Sequence, residues 1–282
     1  MYYRKDAFLG FGDFIRGCLS FLSFCKRESI DFYIDLKELE HLEKCFEYKH
    51  NTYENLQVHK LVVDPEWSID FIKNNIYDMI RYDKKHYQVI NNRYGFEDSK
   101  SILDVVDLFN TYMKPSQMIT DYIDKIYSTY NISKSKYISL HIRGGDQAFY
   151  GQISTNDERI DIYDIENIKN ILSFDNTTVI HSDSVKIKQE FKDIKNTIIL
   201  DIVPYHTQED NSSIYETIAE FYIMAYASSI IQITYSGFSH WASILGKNKL
   251  YSYTKSKILD FMNTHTQVQN YNDKRVQYNI TK

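Results

Sequence analysis

Short apolar runs with the period of a strand alternate with longer runs of helical spacing between residues 137 and 246, and this alternation limits the fold more than any other feature of the chain. Strands are predicted at about 137–143, 177–181, 197–201 and 229–234, with helices at about 162–172, 185–191, 213–227 and 239–246. Parallel strands need a crossover between them, so the series predicts an α/β fold with a doubly wound parallel sheet. Its first strand opens the stretch Y-I-S-L-H-I-R-G-G-D, residues 137–146, in which Ile138, Leu140 and Ile142 alternate with Ser139, His141 and Arg143. Ligands of open α/β sheets sit outside the carboxyl ends of the strands. Arg143, as the last strand residue before a Gly-Gly turn, is therefore expected to point into that crevice. Its planar fork fits phosphate oxygens bidentately, and Gly144 lets backbone approach an anion. The plainer alternative is a strand-end arginine paired with a surface carboxylate.

Two further strand ends carry short polar groups. His181-Ser182-Asp183-Ser184 closes the second strand, where Ser182 or Asp183 also serves as a helix N-cap. Ser236-Gly237-Phe238-Ser239 lies at a strand-to-helix turn whose N–H groups and hydroxyls suit phosphate oxygens. Trp241 and Leu245 read as core residues of the following helix. Ser213 and Glu216 form a capping-box pattern, which accounts for Glu216 and leaves Glu220 unexplained.

The first half is less regular. A short strand at about 7–9 is expected to turn through Gly10-Phe11-Gly12-Asp13 into a helix reaching about residue 26, with Asp13 as a plain N-cap reading. A dinucleotide fingerprint would need a third glycine where Ile15 stands, which disfavours a nicotinamide-type cofactor. A strand at 30–34, a charged helix at 36–46, a strand at 56–63 and a helix at 68–80 follow, then an irregular polar region at 84–101. A long helix at 114–130 leads to the central strand. The expected division is 1–125 and 126–282, two Rossmann-like halves.

The chain has 282 residues, 43% of them hydrophobic, with 9 Gly and 3 Pro, which is enough to bury a sizeable core and argues against a loop-dominated protein. A net charge of −5 provides no electrostatic footprint for nucleic acid or an anionic membrane. Cys18, Cys25 and Cys45 are odd in number and lack metal-ligand spacing, so they are read as reduced core thiols. Asp13, Arg16 and three glycines interrupt the apolar run at 7–25, so neither a signal peptide nor a membrane span is expected and the location is read as cytoplasmic. The 25 Tyr and 16 Phe are spread along the chain, as core and rim filling rather than a sugar platform.

H-I-R-G-G-D resembles the H-x-R-R-G-D signature of the fucosyltransferase superfamily with GT-B architecture, the motif family of the α-1,2-fucosyltransferase-like enzymes. Two more segments resemble that family in the expected order. G-F-G-D-F-I-R-G is similar to its opening G-x-G-N-Q, and T-Y-S-G-F-S-H-W-A-S-I-L-G is similar to N-S-T-F-S-W-W-A-x-x-L-G, preceded by a helix carrying Glu220, Met224 and Ala227. The resemblance implies two Rossmann-like halves facing across a cleft, the first on the acceptor side and the second on the side of the nucleotide-sugar donor. It implies an inverting, metal-independent transfer of fucose from GDP-fucose to a glycan acceptor, with no other cofactor.

By the same resemblance Arg143 is the critical arginine and Gly144 replaces the second arginine of the motif. Ser184 replaces the second acidic residue of S-D-[DN]. Gly10, Gly12, His141, Ser182, Asp183, Ser236, Gly237, Phe238 and Ser239 belong to the donor site, and Glu220 contacts the guanosine. Arg143 and the 236–239 turn stabilise the departing phosphate, and Asp13 is the candidate base for the acceptor hydroxyl. A segment at 255–262 is expected to form a terminal helix crossing back to the first half. Three alternatives stay open: a transferase using another nucleotide sugar, a non-catalytic nucleotide- or glycan-binding protein, and a dinucleotide-dependent oxidoreductase.

Overall fold

The computed structural model describes residues 1–4, 10–36, 39–47, 58–63, 69–83, 85–91, 99–144, 162–172, 174–202, 213–233, 236–254 and 257–261. These fall into two compact units, one within Met1–Ser116 and one beginning at Gln117. Both are built on parallel sheets, as the strand and helix alternation requires.

In the first unit, β1 (Tyr2–Arg4) precedes α1 (Phe11–Arg27), β2 (Tyr33–Asp35), α2 (Glu40–Glu43), β3 (Phe46–Glu47) and β4 (Val58–Val63). A continuous helical stretch follows as α3 (Ile69–Phe71), a π-helical turn (Ile72–Tyr77) and α4 (Asp78–Tyr82), then β5 (His86–Asn91), α5 (Ser99–Leu103), α6 (Val106–Tyr112) and β6 (Lys114–Pro115). The parallel sheet has the order β2-β1-β5-β4. The apolar side of α1 explains its position. Phe14, Phe21 and Phe24 are fully buried, the first two against Tyr3 of β1 and the third stacked on Tyr77 at 3.9 Å. Here the abundant aromatics fill a core.

Several expectations change in this unit. The strand expected at 7–9 lies outside the described residues. Asp13 is not an N-cap: Gly10 holds that position, so Gly12 and Asp13 belong to the first turn of α1 and Gly12 is buried inside the helix. The second strand starts later than expected, because Ser29 takes a left-handed φ of 54° and Ile30 N–H bonds back to Cys25 O, closing α1 before the chain extends. The charged helix expected at 36–46 contracts to α2, since Phe46 and Glu47 pair with Pro115 and Lys114. Pro115 therefore belongs to a strand, and the long helix begins only at Gln117. The polar region at 84–101 contains β5, an inner strand. Its buried Gln88 is satisfied by donating a hydrogen bond to the Asp35 carboxylate on β2. Cys18, Cys25 and Cys45 are buried, and none of them forms a disulfide with another.

The second unit follows the predicted rhythm within a few residues from Gln117 to Gly246 and adds an unexpected strand, Lys249–Thr254. It comprises α7 (Gln117–Tyr130), β7 (Ile138–Ile142), α8 (Ile162–Ile171), β8 (Thr178–Ser182), α9 (Val185–Gln189), β9 (Thr197–Ile199), α10 (Ile214–Ala225), β10 (Ser229–Gln232), α11 (Gly237–Gly246), β11 (Lys249–Thr254) and β12 (Lys257–Phe261). The sheet order is β12-β11-β10-β7-β8-β9. The chain steps outward from β7 through β8 to β9, then returns to the other side of β7 with β10 and continues to β11. The order thus reverses between β7 and β10. Residues 257–261 form β12, antiparallel to β11, rather than the terminal helix expected at 255–262. Ser213 occupies the N-cap of α10 without a side-chain capping bond, so the expected capping box is not formed. No helix among the described residues is long and apolar enough to cross a membrane.

Two details lock α10 and α11 together. Asn248 Nδ2 donates toward the carbonyls of Met224, Ala225 and Ala227 at 3.2–3.3 Å, satisfying the end of α10. Gly246 packs so tightly that a Cβ there would lie 2.0 Å from Ala225 O. Gly246→Ala is expected to destabilise the protein by about 1–3 kcal/mol, as overpacked sites do, and to lower the Tm measured by calorimetry.

Candidate functional site

The carboxyl edge of the second sheet gathers most of the residues singled out by sequence. β7 runs between β8 and β10 in exact register, with His141 opposite His181 on one side and Gln232 on the other. Arg143 and Gly144 are the first residues beyond β7, so Arg143 follows the strand rather than ending it. Gly144 N–H donates to Asp183 Oδ1 at 2.6 Å, and Arg143 Nε lies 3.9 Å from Asp183 Oδ2. Asp183 therefore ties the end of β7 to the end of β8, and Arg143 keeps a side chain that is 23% exposed.

The α9 cap also differs from expectation. Ser184, not Ser182 or Asp183, accepts the N–H of Ile187 at 3.4 Å. Ser182 Oγ accepts the N–H of Ser184, which fixes the turn. At α11, Ser236 is the N-cap and accepts the N–H of Phe238 at 3.3 Å. Ser239 Oγ lies 2.9 Å from His141 Nδ1, 3.2 Å from Gln232 Oε1 and 3.4 Å from Ser236 O. Both hydroxyls of this turn are thus engaged within the protein. No acceptor among the described residues meets the N–H groups of Ser236, Gly237 or Ser239. The Phe238 ring sits between Phe221, at 5.1 Å, and His141, at 6.2 Å.

Glu220 has the structural partners that sequence reading did not find. It is 3% exposed on α10, and its Oε1 accepts from His181 Nδ1 at 3.1 Å and from Lys188 Nζ at 3.5 Å. Lys188, itself 2% exposed, also donates to Ile202 O. His181 Nε2 faces Ser139 Oγ at 3.1 Å. Burial alone would raise the Glu220 carboxyl, but Lys188 and the His181 hydrogen bond hold it down at about 2. Burial pushes the imidazole of His141 down to about 3, with His181 adding to the effect and Glu220 opposing it. His181 is lowered by burial as well, against the pull of Glu220. Both imidazoles are therefore neutral at pH 7. Glu220 Oε2 and His141 Nε2 make no hydrogen bond among the described residues, and each belongs to a residue that retains a narrow exposed edge.

Gly10, Gly12 and Asp13 belong to the first unit. Gly10 O accepts the N–H of Phe14, opening α1, and Asp13 Oδ1 is held at 3.0 Å by the buried Arg16. Among the described residues no group of three or more His, Cys, Asp or Glu could hold a metal ion.

Solved structures share this architecture. NodZ α-1,6-fucosyltransferase from Bradyrhizobium, soaked with GDP-fucose, superposes with a TM-score of 0.61 over 92% of this chain and 98% of that chain, at 14% identity. Arabidopsis thaliana FUT1, in complex with GDP, gives a TM-score of 0.61 over 93% of this chain and 74% of that chain, at 11% identity. The chain has the GT-B fold of these fucosyltransferases. No protein-family model and no curated relative matches the sequence.

Within this GT-B fold, sequence reading missed His181, Lys188, Ser139 and Gln232. His181 and Gln232 carried one faint signal, a polar side chain in an otherwise apolar strand run. The buried imidazoles set the acid response. An unfolded histidine takes up a proton near its ordinary 6.5, whereas the folded pair resists it, so acid favours the unfolded chain. Stability is expected to be full above about pH 7 and to fall as pH drops through 6.5, with a slope approaching about 1.4 kcal/mol per pH unit for each imidazole. Below about 4.5 the depressed Glu220 carboxyl adds to the loss in the same direction. Thermal unfolding between pH 8 and 4, on wild type and His141→Gln, measures this. The variant should show the shallower slope, and a flat wild-type profile would contradict the assignment.

Proposed function

We propose that the protein is a glycosyltransferase that moves fucose from GDP-fucose to a hydroxyl of a glycan acceptor, with inversion and without a metal. One observation carries this reading. Arg143 and the Ser236–Ser239 turn follow β7 and β10, the two strands between which the sheet order reverses, and such switch points are where open α/β sheets bind nucleotides. The fold likeness to NodZ, soaked with GDP-fucose, and to FUT1, in complex with GDP, supports it.

In the proposed reaction the bond between the anomeric carbon and the β-phosphate oxygen breaks as the acceptor oxygen attacks from the opposite face. Negative charge gathers on the leaving GDP. Arg143 and the N–H groups of Gly237 and Ser239 stabilise that charge before any solvent reorganises. Glu220 Oε2 and His141 Nε2 are acceptors, and a guanine edge offers N–H donors to meet them. Asp13 is the proposed base for the acceptor proton, held in place by Arg16. Asp183 fixes Gly144, where the resembling family carries its second arginine, so donor choice here depends more heavily on Arg143.

A second reading, transfer from a different nucleotide sugar, is favoured by Gly144 and by Ser184, whose side chain is committed to the cap of α9. Product analysis with a panel of nucleotide sugars separates the two. The proposal expects GDP release from GDP-fucose that is unaffected by a chelator and falls on the order of a hundredfold or more in Arg143→Ala. Arg143→Lys should rescue little, because an ammonium offers a point charge in place of a fork. Turnover of another sugar donor would move the assignment to the second reading, and GDP binding without any turnover would make the protein a non-catalytic relative.

A further inference from the structure

A row of polar side chains crosses the second sheet at one level. Ser252 of β11, Gln232 of β10, His141 of β7 and His181 of β8 are register partners in turn, and register partners share a face. All four are buried, and Ser239 from the first turn of α11 closes the row from above. Each buried donor needs an acceptor, so the row must settle on one assignment of protons.

That assignment can be followed from one end. Gln232 Nε2 donates to Ser252 Oγ at 3.1 Å, which turns the amide oxygen toward Ser239. Ser239 Oγ–H then donates to Gln232 Oε1 at 3.2 Å. A hydroxyl has one proton, so toward His141 Nδ1, 2.9 Å away, Ser239 acts as acceptor. The other acceptor near that proton, Ser236 O at 3.4 Å, draws it away from the imidazole as well. His141 must carry its proton on Nδ1, and Nε2, with no partner among the described residues, is a bare acceptor.

We infer that Gln232 and Ser252 are positioning residues that set the tautomer of His141 through Ser239, so that His141 offers Nε2 as an acceptor and selects ligands presenting an N–H or O–H to it. The bearing on donor choice rests on the function proposed above, whereas the tautomer is a property of the protein alone. His181 provides an internal reference. Its Nδ1 proton is fixed separately by the Glu220 carboxylate, with Ser139 Oγ–H donating to Nε2.

The test is long-range proton–nitrogen NMR of the ligand-free full chain labelled with ¹⁵N-histidine at pH 7.5. His141→Gln and His181→Gln identify the two rings by loss of signal. In wild type both rings should show a protonated Nδ1 and a pyridine-type Nε2. In Gln232→Met the Ser239 proton is released to His141 Nδ1, the nearer of its two remaining acceptors, so His141 should pass largely to the Nε2–H form while His181 stays unchanged. Should that variant fail to fold, Ser252→Ala frees the Gln232 amide to turn and should raise the Nε2–H fraction of His141. An Nε2–H form in wild type, or no change in either variant, overturns the inference. GDP titrated into the same samples tests the donor reading apart from it, with about tenfold weaker binding expected in Gln232→Met for one hydrogen bond reversed. If wild type bound no GDP, the donor reading would fall while the tautomer result decided this inference by itself.

Discussion

An ionised carboxylate stands where almost no water reaches it, and the second unit is arranged around keeping it satisfied. Glu220 receives Lys188 from α9 and His181 from β8 on one oxygen. Removing Lys188 would leave an uncompensated buried charge, which is far more damaging than the pair is stabilising, and removing His181 would take a hydrogen bond from that carboxylate. This obligation joins α10 to β8 and α9, whose contributing residues lie 39 and 32 positions earlier in the chain. The second oxygen of Glu220 has no hydrogen-bond partner among the described residues.

The same logic extends across the sheet. Parallel strands are covered on both faces, so their inward side chains are ordinarily apolar. Here one level of β7, β8, β10 and β11 is polar instead, and it is held by hydrogen bonds to the helices above it. That level is also where the strand order reverses. The fold therefore places an arginine, two acceptors without partners among the described residues and the first turn of a helix toward the carboxyl edge of one sheet. Gly246 and Asn248 keep α10 and α11 in the register that delivers Glu220 and Ser239 to it.

How much of this was legible depends on range. The strand and helix alternation of residues 137–246 is a local signal, and the structure follows it closely. The three motif segments were legible too, and the segment 137–144 and the turn 236–239 lie at one sheet edge. Elements lacking local contrast were not legible. β5 hides in a polar stretch because Gln88 is satisfied by Asp35, a partner 53 residues away. The π-helical turn at 72–77 leaves no mark in an apolar spacing, and the polar tail concealed β12. Within the site, the N-cap of α9 was displaced by one or two residues, and Lys188 gave no hint that it would be buried. Pairings such as Lys188 with Glu220 or Ser239 with Gln232 follow from sheet register, which one sequence does not reveal.

We propose that the switch point of the second unit binds guanosine diphosphate through Arg143 and Glu220. Calorimetric titration of the protein with GDP and with UDP, on wild type, Arg143→Ala and Glu220→Gln, addresses it most directly. Saturable GDP binding is expected in wild type, with loss of most of it in Arg143→Ala and reduced preference for GDP over UDP in Glu220→Gln. Equal or tighter binding of UDP by wild type, or GDP binding untouched by both substitutions, would contradict it.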